Sequence, residues 1–149
     1  QLIGPRHYHP REAARIATAI AARGLRGRVR VSGAVAAARV ADAYRAADLF
    51  VLPSFHEGYG MAFAEAIAAG LPVVGARAGA VPSTVPRRAG MLVRPGDAAG
   101  LARALGRLIM DGRLRRRLAR GARAQARALP DWQSQARRFA AAIDALVPP

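Results

Sequence analysis

The strongest constraint on the fold is an apolar strand, a loop, an alanine-rich helix and a second apolar strand, laid end to end between Asp48 and Gly75. Asp48-Leu49-Phe50-Val51-Leu52-Pro53 reads as a short buried strand stopped by proline, and Ser54 to Gly58 as the loop after it. A helix starting near Tyr59 or Gly60 then runs through Met61 to Ala69 and ends at Gly70 before Leu71-Pro72, ahead of a strand at Val73 to Gly75. Strands joined by a crossover helix pair in parallel, and a parallel sheet needs both faces covered. The alternation extends to both sides: Arg28 to Ser32 patterns as a strand, Val35 to Ala47 as a helix, and Met91-Leu92-Val93 as another strand. These patterns predict an α/β fold, a parallel sheet with helices on both faces. A chain of 149 residues suits one such core.

The last third reads as helical. Asp97 is placed to cap a helix whose Leu101, Leu105, Leu108 and Ile109 share one face. A second helix follows Asp111-Gly112, and a third follows Pro130-Asp131, with Phe139, Ile143 and Leu146 on one face.

Chemistry concentrates at Glu57-Gly58-Tyr59-Gly60-Met61-Ala62-Phe63-Ala64-Glu65, two carboxylates with seven residues between them. Glycines at 58 and 60 leave the backbone N–H groups of the first helical turn open to an anion, and those groups have no intrahelical partner. The helix dipole adds roughly half a positive charge there, which suits phosphate. In an open α/β sheet the junction falls beyond the carboxyl ends of the strands, where ligands bind. Because the helix is apolar on every side except at Glu65, burial of that carboxylate is expected, with a ligand diol as one partner. Glutamates at this spacing also occur in alanine-rich helices that bind nothing. Glu65 would then pair with an arginine, and the glycines would form an ordinary tight turn.

Ala47 to Ser54, then Glu57-Gly58-Tyr59-Gly60 with Glu65-Ala66, then Ala69-Gly70-Leu71-Pro72-Val73-Val74, resemble the donor-side signature of the group 1, or family 4, retaining nucleotide-sugar glycosyltransferases of the two-lobed GT-B fold. Gly90 to Val93, Pro95-Gly96-Asp97 and the late Trp132 extend the resemblance in order along nearly the whole chain. It implies a Rossmann-like three-layer α/β/α donor lobe over residues 1–149, with a C-terminal helix over 130–149 that returns toward an acceptor lobe. By the same resemblance Glu57 lies by the transferred sugar, Glu65 holds the ribose, and Gly58, Tyr59, Gly60 and Met61 form the turn against sugar and diphosphate. His56, beside Glu57, and Gly33, after the strand ending at Ser32, are further candidates for contact with the donor sugar and the base. The implied activity is retaining transfer of a hexosyl group from a nucleoside-diphosphate sugar to a glycan or lipid-linked acceptor. No cofactor and no catalytic metal are expected.

The opening Gln1 to Pro5 resembles the end of a strand and the loop after it, so an N-terminally truncated lobe is expected, inactive without the acceptor lobe. The family's phosphate-gripping arginine and lysine would precede this start, and the chain contains no lysine. Other readings are a different GT-B enzyme, such as a sugar-nucleotide epimerase, or a non-catalytic module that binds a nucleotide or a membrane.

The net charge of +15 centres on Arg113, Arg115, Arg116, Arg117, Arg120, Arg123 and Arg127, all but Arg115 on one broad helical face away from Leu114 and Leu118. Three readings are open: a solvated face, docking on an anionic membrane, or nucleic-acid binding. The chain has few aromatics to stack on bases and no recognition-helix pattern, so no nucleic acid is expected. Zero cysteine excludes disulfides, thiol nucleophiles and cysteine-held zinc, and suits a reducing cytoplasm, with peripheral contact at the inner membrane face. His7 and His9 lack a third ligand nearby for a metal. Glu65 and Pro72 interrupt the most apolar stretch, so no membrane span is read.

Overall fold

The computed structural model describes residues 1–129 and 132–146, with the side chain of Trp132 not described. Pro130 and Asp131, expected to open the last helix, lie outside the described residues. The chain divides into two compact units, Gln1–Ala46 and Ala47–Pro149.

In the first unit, helix α1 spans Pro10–Ala22 and α2 spans Ala37–Ala46. Helix α1 has no counterpart in the sequence reading, although Pro10 at its first turn followed by Glu12 is a usual helix opening. The strand expected over Arg28 to Ser32 contracts to one parallel bridge between Leu2 and Val31, with Leu2 N–H donating to Arg30 O and Ser32 N–H to Leu2 O. A strand needs a ladder on at least one side, and Leu2 supplies one rung of it.

The second unit holds a three-stranded parallel sheet in the order β1, Phe50–Leu52; β2, Val73–Ala76; β3, Gly90–Val93. Its register sets Phe50, Val73 and Gly90 side by side, and Leu52, Gly75 and Leu92 likewise. Helix α3, Met61–Ala68, links β1 to β2, and the short α4, Val81–Thr84, links β2 to β3. Then come α5, Ala98–Met110, α6, Gly112–Ala126, and α7, Trp132–Asp144.

Strand alternation assigns the two faces. Val74, with Val51, Met91 and Val93, packs on Ala104 and Leu108 of α5 and on Leu114 and Leu118 of α6. On the other face the Phe63 ring of α3 stands edge-on to Phe50 at 5.5 Å and fills the space over Gly75, where a Cβ would be 2.8 Å from its ring. The expected α/β/α layering is therefore present, with Phe63, Ile67, Val73, Val74 and Leu108 fully buried.

Helix α6 crosses the entry end of the sheet. The residues that precede the three strands all meet it: Asp48 Oδ1 lies 4.0 Å from Arg115 Nε, Gly70 lies under the Arg123 stem, and Arg88 bonds to Gln125. The Arg115 guanidinium also donates to the carbonyls of Leu108 at 2.7 Å and Ile109 at 3.1 Å, tying α6 to the end of α5.

Two expectations about side-chain faces are corrected. Ile109 does not share the buried face of α5, where the spacing runs through Gly100, Ala104 and Leu108; it is 62% exposed. Helix α3 is not buried all round either. Phe63, Ala66 and Ile67 face the sheet, and Glu65 on the outer side is exposed. An apolar helix rich in alanine carries no period to orient it, so the phenylalanine and isoleucine choose the face.

Candidate functional site

All three strands run the same way, so the loops after Leu52, Ala76 and Val93 leave from one edge. They converge. The Ala80 N–H donates to the Glu57 carbonyl at 2.9 Å, and the Arg77 N–H to the Val93 carbonyl at 2.8 Å. The Thr84 hydroxyl of α4 donates to the Tyr59 carbonyl at 3.3 Å, and Gly96 lies against the Phe55 ring.

Glu57 is fixed at both ends. Its backbone sits on Gly79, where a Cβ would come 2.1 Å from the Glu57 carbonyl oxygen. Its half-buried carboxylate accepts the Ser54 hydroxyl at 3.3 Å. One donor leaves most of the carboxylate's accepting capacity for a ligand hydroxyl. Neither Ser54 nor Gly79 was singled out as a site residue from the sequence. Their signal was position alone, a serine directly after the strand-stopping Pro53 and a glycine three residues past β2.

Gly60 caps α3 at φ +83°, a left-handed conformation open to glycine, and brings no capping side chain of its own. Around it Phe55, His56, Gly58, Tyr59 and Met61 are exposed, as is Glu65 one turn into α3. The helix N-terminus thus meets solvent with its positive end beside a pinned carboxylate, an arrangement that receives an anion and a hydroxylated group together. Glu57, Gly58, Tyr59, Gly60 and Met61 are brought into one turn, with His56 at its edge. Glu65 shares the helix that the turn opens. Gly33 belongs to the first unit, where it is buried at φ +70°, its carbonyl accepts the Gly4 N–H at 2.9 Å, and the Arg6 guanidinium lies over it.

A parallel sheet with helices on both faces, whose carboxyl-end loops bring a carboxylate to a helix N-terminus, defines a Rossmann-like α/β lobe. The chain belongs to the group 1 glycosyl transferases, whose family model matches residues 2–111. It is 45% identical over 105 residues to a D-inositol 3-phosphate glycosyltransferase of Xylanimonas cellulosilytica, covering 70% of this chain and 25% of that protein. Among solved structures it resembles sucrose-phosphate synthase from Thermosynechococcus elongatus, at TM-score 0.80 and 33% identity over 91% of this chain and 34% of that one. It also superposes on Anabaena HepE in complex with UDP at TM-score 0.84 and 27% identity, over 97% of this chain and 40% of that one. The chain thus spans a quarter to two-fifths of the length of these proteins. They share the GT-B fold, of which this chain supplies one lobe.

Proposed function

We propose that this chain is the donor-binding lobe of a retaining glycosyltransferase that moves a hexosyl group from a nucleoside-diphosphate sugar to a glycan or lipid-linked acceptor in the cytoplasm. The observation that carries the reading is the pinning of Glu57, through Gly79, Ala80 and Ser54, beside the N-terminus of α3 at Gly60. Support also comes from HepE, which is solved with UDP and with UDP-glucose.

In this reading the diphosphate lies against the turn from Gly58 to Met61. As the sugar–phosphate bond breaks, negative charge grows on the leaving oxygen, and the α3 dipole with its first-turn N–H groups stabilises that charge more than the ground state. Glu57 accepts hydrogen bonds from sugar hydroxyls and favours the positive charge that develops at the anomeric carbon. It is a positioning and electrostatic group, with no covalent step assigned to it. Glu65 accepts from the ribose diol, and His56 borders the sugar.

The test is calorimetric titration of the chain with UDP, GDP and ADP, at low and raised salt. Saturable binding of one nucleotide that persists in salt supports a donor lobe. Equal, weak binding of all three that salt removes assigns the affinity to the arginines and refutes it. Glu57→Gln should then reduce the affinity for the sugar nucleotide while that for the free nucleotide stays unchanged, because Glu57 addresses the sugar. Equal loss for both ligands removes Glu57 from the sugar site.

A further inference from the structure

Between Ala98 and Leu129 there are nine arginines and a single acid, Asp111. That acid caps α6, its carboxylate accepting the Leu114 N–H at 2.9 Å. Arg115 is turned inward onto the end of α5. Arg113, Arg116, Arg117 and Arg120 are exposed, and among the described residues no ion pair joins them to an acid.

A basic face alone fits plain solvation. The corner where α5 turns into α6 adds a second observation: Ile109 is 62% and Met110 86% exposed, directly before the capping Asp111 and the first of these arginines. Met110 also follows Arg103 and Arg107 along the outer face of α5, at spacings of seven and three residues. Water gains nothing from two bare apolar side chains set among guanidinium groups. A lipid interface accommodates both, with arginines at the phosphates and apolar tips at the acyl boundary.

We propose that the α5–α6 corner docks on an anionic lipid bilayer, with Ile109 and Met110 entering the headgroup layer and Arg113, Arg116, Arg117 and Arg120 holding lipid phosphates. Charge complementarity selects an anionic surface, and the apolar pair selects a bilayer over a nucleic acid. No aromatic residue lies between Ala98 and Leu129 to stack on bases. Because α6 crosses the entry end of the strands, docking there leaves the carboxyl-end loops and Glu57 facing away from the lipid. The proposal is independent of the donor reading.

The experiment is co-sedimentation of the chain with vesicles of phosphatidylcholine alone or mixed with phosphatidylglycerol, alongside titration of a DNA duplex. Of the two kinds of vesicle, only those with phosphatidylglycerol are expected to bind, and more tightly than the duplex. Arg113→Gln, Arg116→Gln, Arg117→Gln and Arg120→Gln together should lower it several hundredfold, about fivefold or about 1 kcal/mol for each arginine. Ile109→Ser with Met110→Ser should lower vesicle binding about tenfold and leave duplex binding unchanged, since only a bilayer takes up apolar side chains. Thermal unfolding checks each variant. If the fourfold variant does not fold, Arg116→Gln with Arg117→Gln carries the test at about 30-fold. The proposal is overturned if anionic vesicles do not bind, if the double serine variant binds them like the original chain, or if the duplex binds more tightly than the vesicles.

Discussion

Gly79→Ala tests the joint on which the proposed site depends. Gly79 is exposed, and by accessibility alone an alanine there should be harmless. Its geometry says otherwise. The φ of +52° places an alanine in the left-handed region at about 1–2 kcal/mol. The added Cβ would also stand 2.1 Å from the Glu57 carbonyl oxygen and 3.0 Å from its carbon, both backbone atoms that no rotamer change can move. The two loops must separate, and the 2.9 Å bond from the Ala80 N–H to that carbonyl is lost, for about 1 kcal/mol more. The sum is about 2–3 kcal/mol, a fall of about 4–12 °C in melting temperature for a chain of this size. Thermal unfolding followed by circular dichroism measures it. Gly79→Asn separates the two causes, because asparagine tolerates the left-handed region yet carries the same Cβ. Both variants should melt early and bind the sugar nucleotide more weakly. An alanine variant that melts with the original chain refutes the reasoning, and full recovery by asparagine assigns the effect to φ and not to the contact with Glu57.

Gly58→Ala should behave in the opposite way: its Cβ meets nothing within 4 Å and its φ is not left-handed, so stability should hold or rise by about 0.5 kcal/mol while calorimetry shows weaker binding of a diphosphate pressed against that turn. Glu65→Gln on the exposed side of α3 should weaken the best-bound nucleotide about tenfold, since a charged acceptor to the ribose is lost; unchanged affinity removes Glu65 from the ribose. Asp97→Ala should cost about 1 kcal/mol in chemical denaturation, because its carboxylate accepts the Gly100 N–H at 2.7 Å at the start of α5, and nucleotide affinity should be unaffected.

Much of the fold was legible because the signals are local. Asp48 to Pro53 and Val73 to Gly75 are strands by composition and by the proline and glycine around them, and they appear as β1 and β2 within two residues. The Asp97 cap follows from aspartate before an apolar helical period, and its bond from the Gly100 N–H is present; Asp111 caps α6 in the same way, which the sequence reading did not specify. The last helix is present too, but α7 ends at Asp144, so it carries Phe139 and Ile143 while Leu146 lies beyond it. Pattern failed where it carried no orientation. Arg28 to Ser32 alternates like a strand but finds one rung of pairing at Leu2, and α1 in its alanine-rich stretch went unread.

The sequence by itself determined the order of strands and helices, the glycine turn between two glutamates, and a family membership spread along ordered motifs. These depend on neighbours in the chain. Only the tertiary structure decided that Glu65 faces outward while Glu57 is half-buried, that Gly79 carries the Glu57 backbone, that Ser54 bonds its carboxylate, and that the arginine helix lies at the opposite end of the sheet. Each of those depends on a contact between segments that adjacency does not specify. The Phe63 ring over Gly75 fixes the roll of α3, and backbone approach between two loops fixes Glu57. Such positions follow from close packing across the sheet, where one missing Cβ decides what can meet.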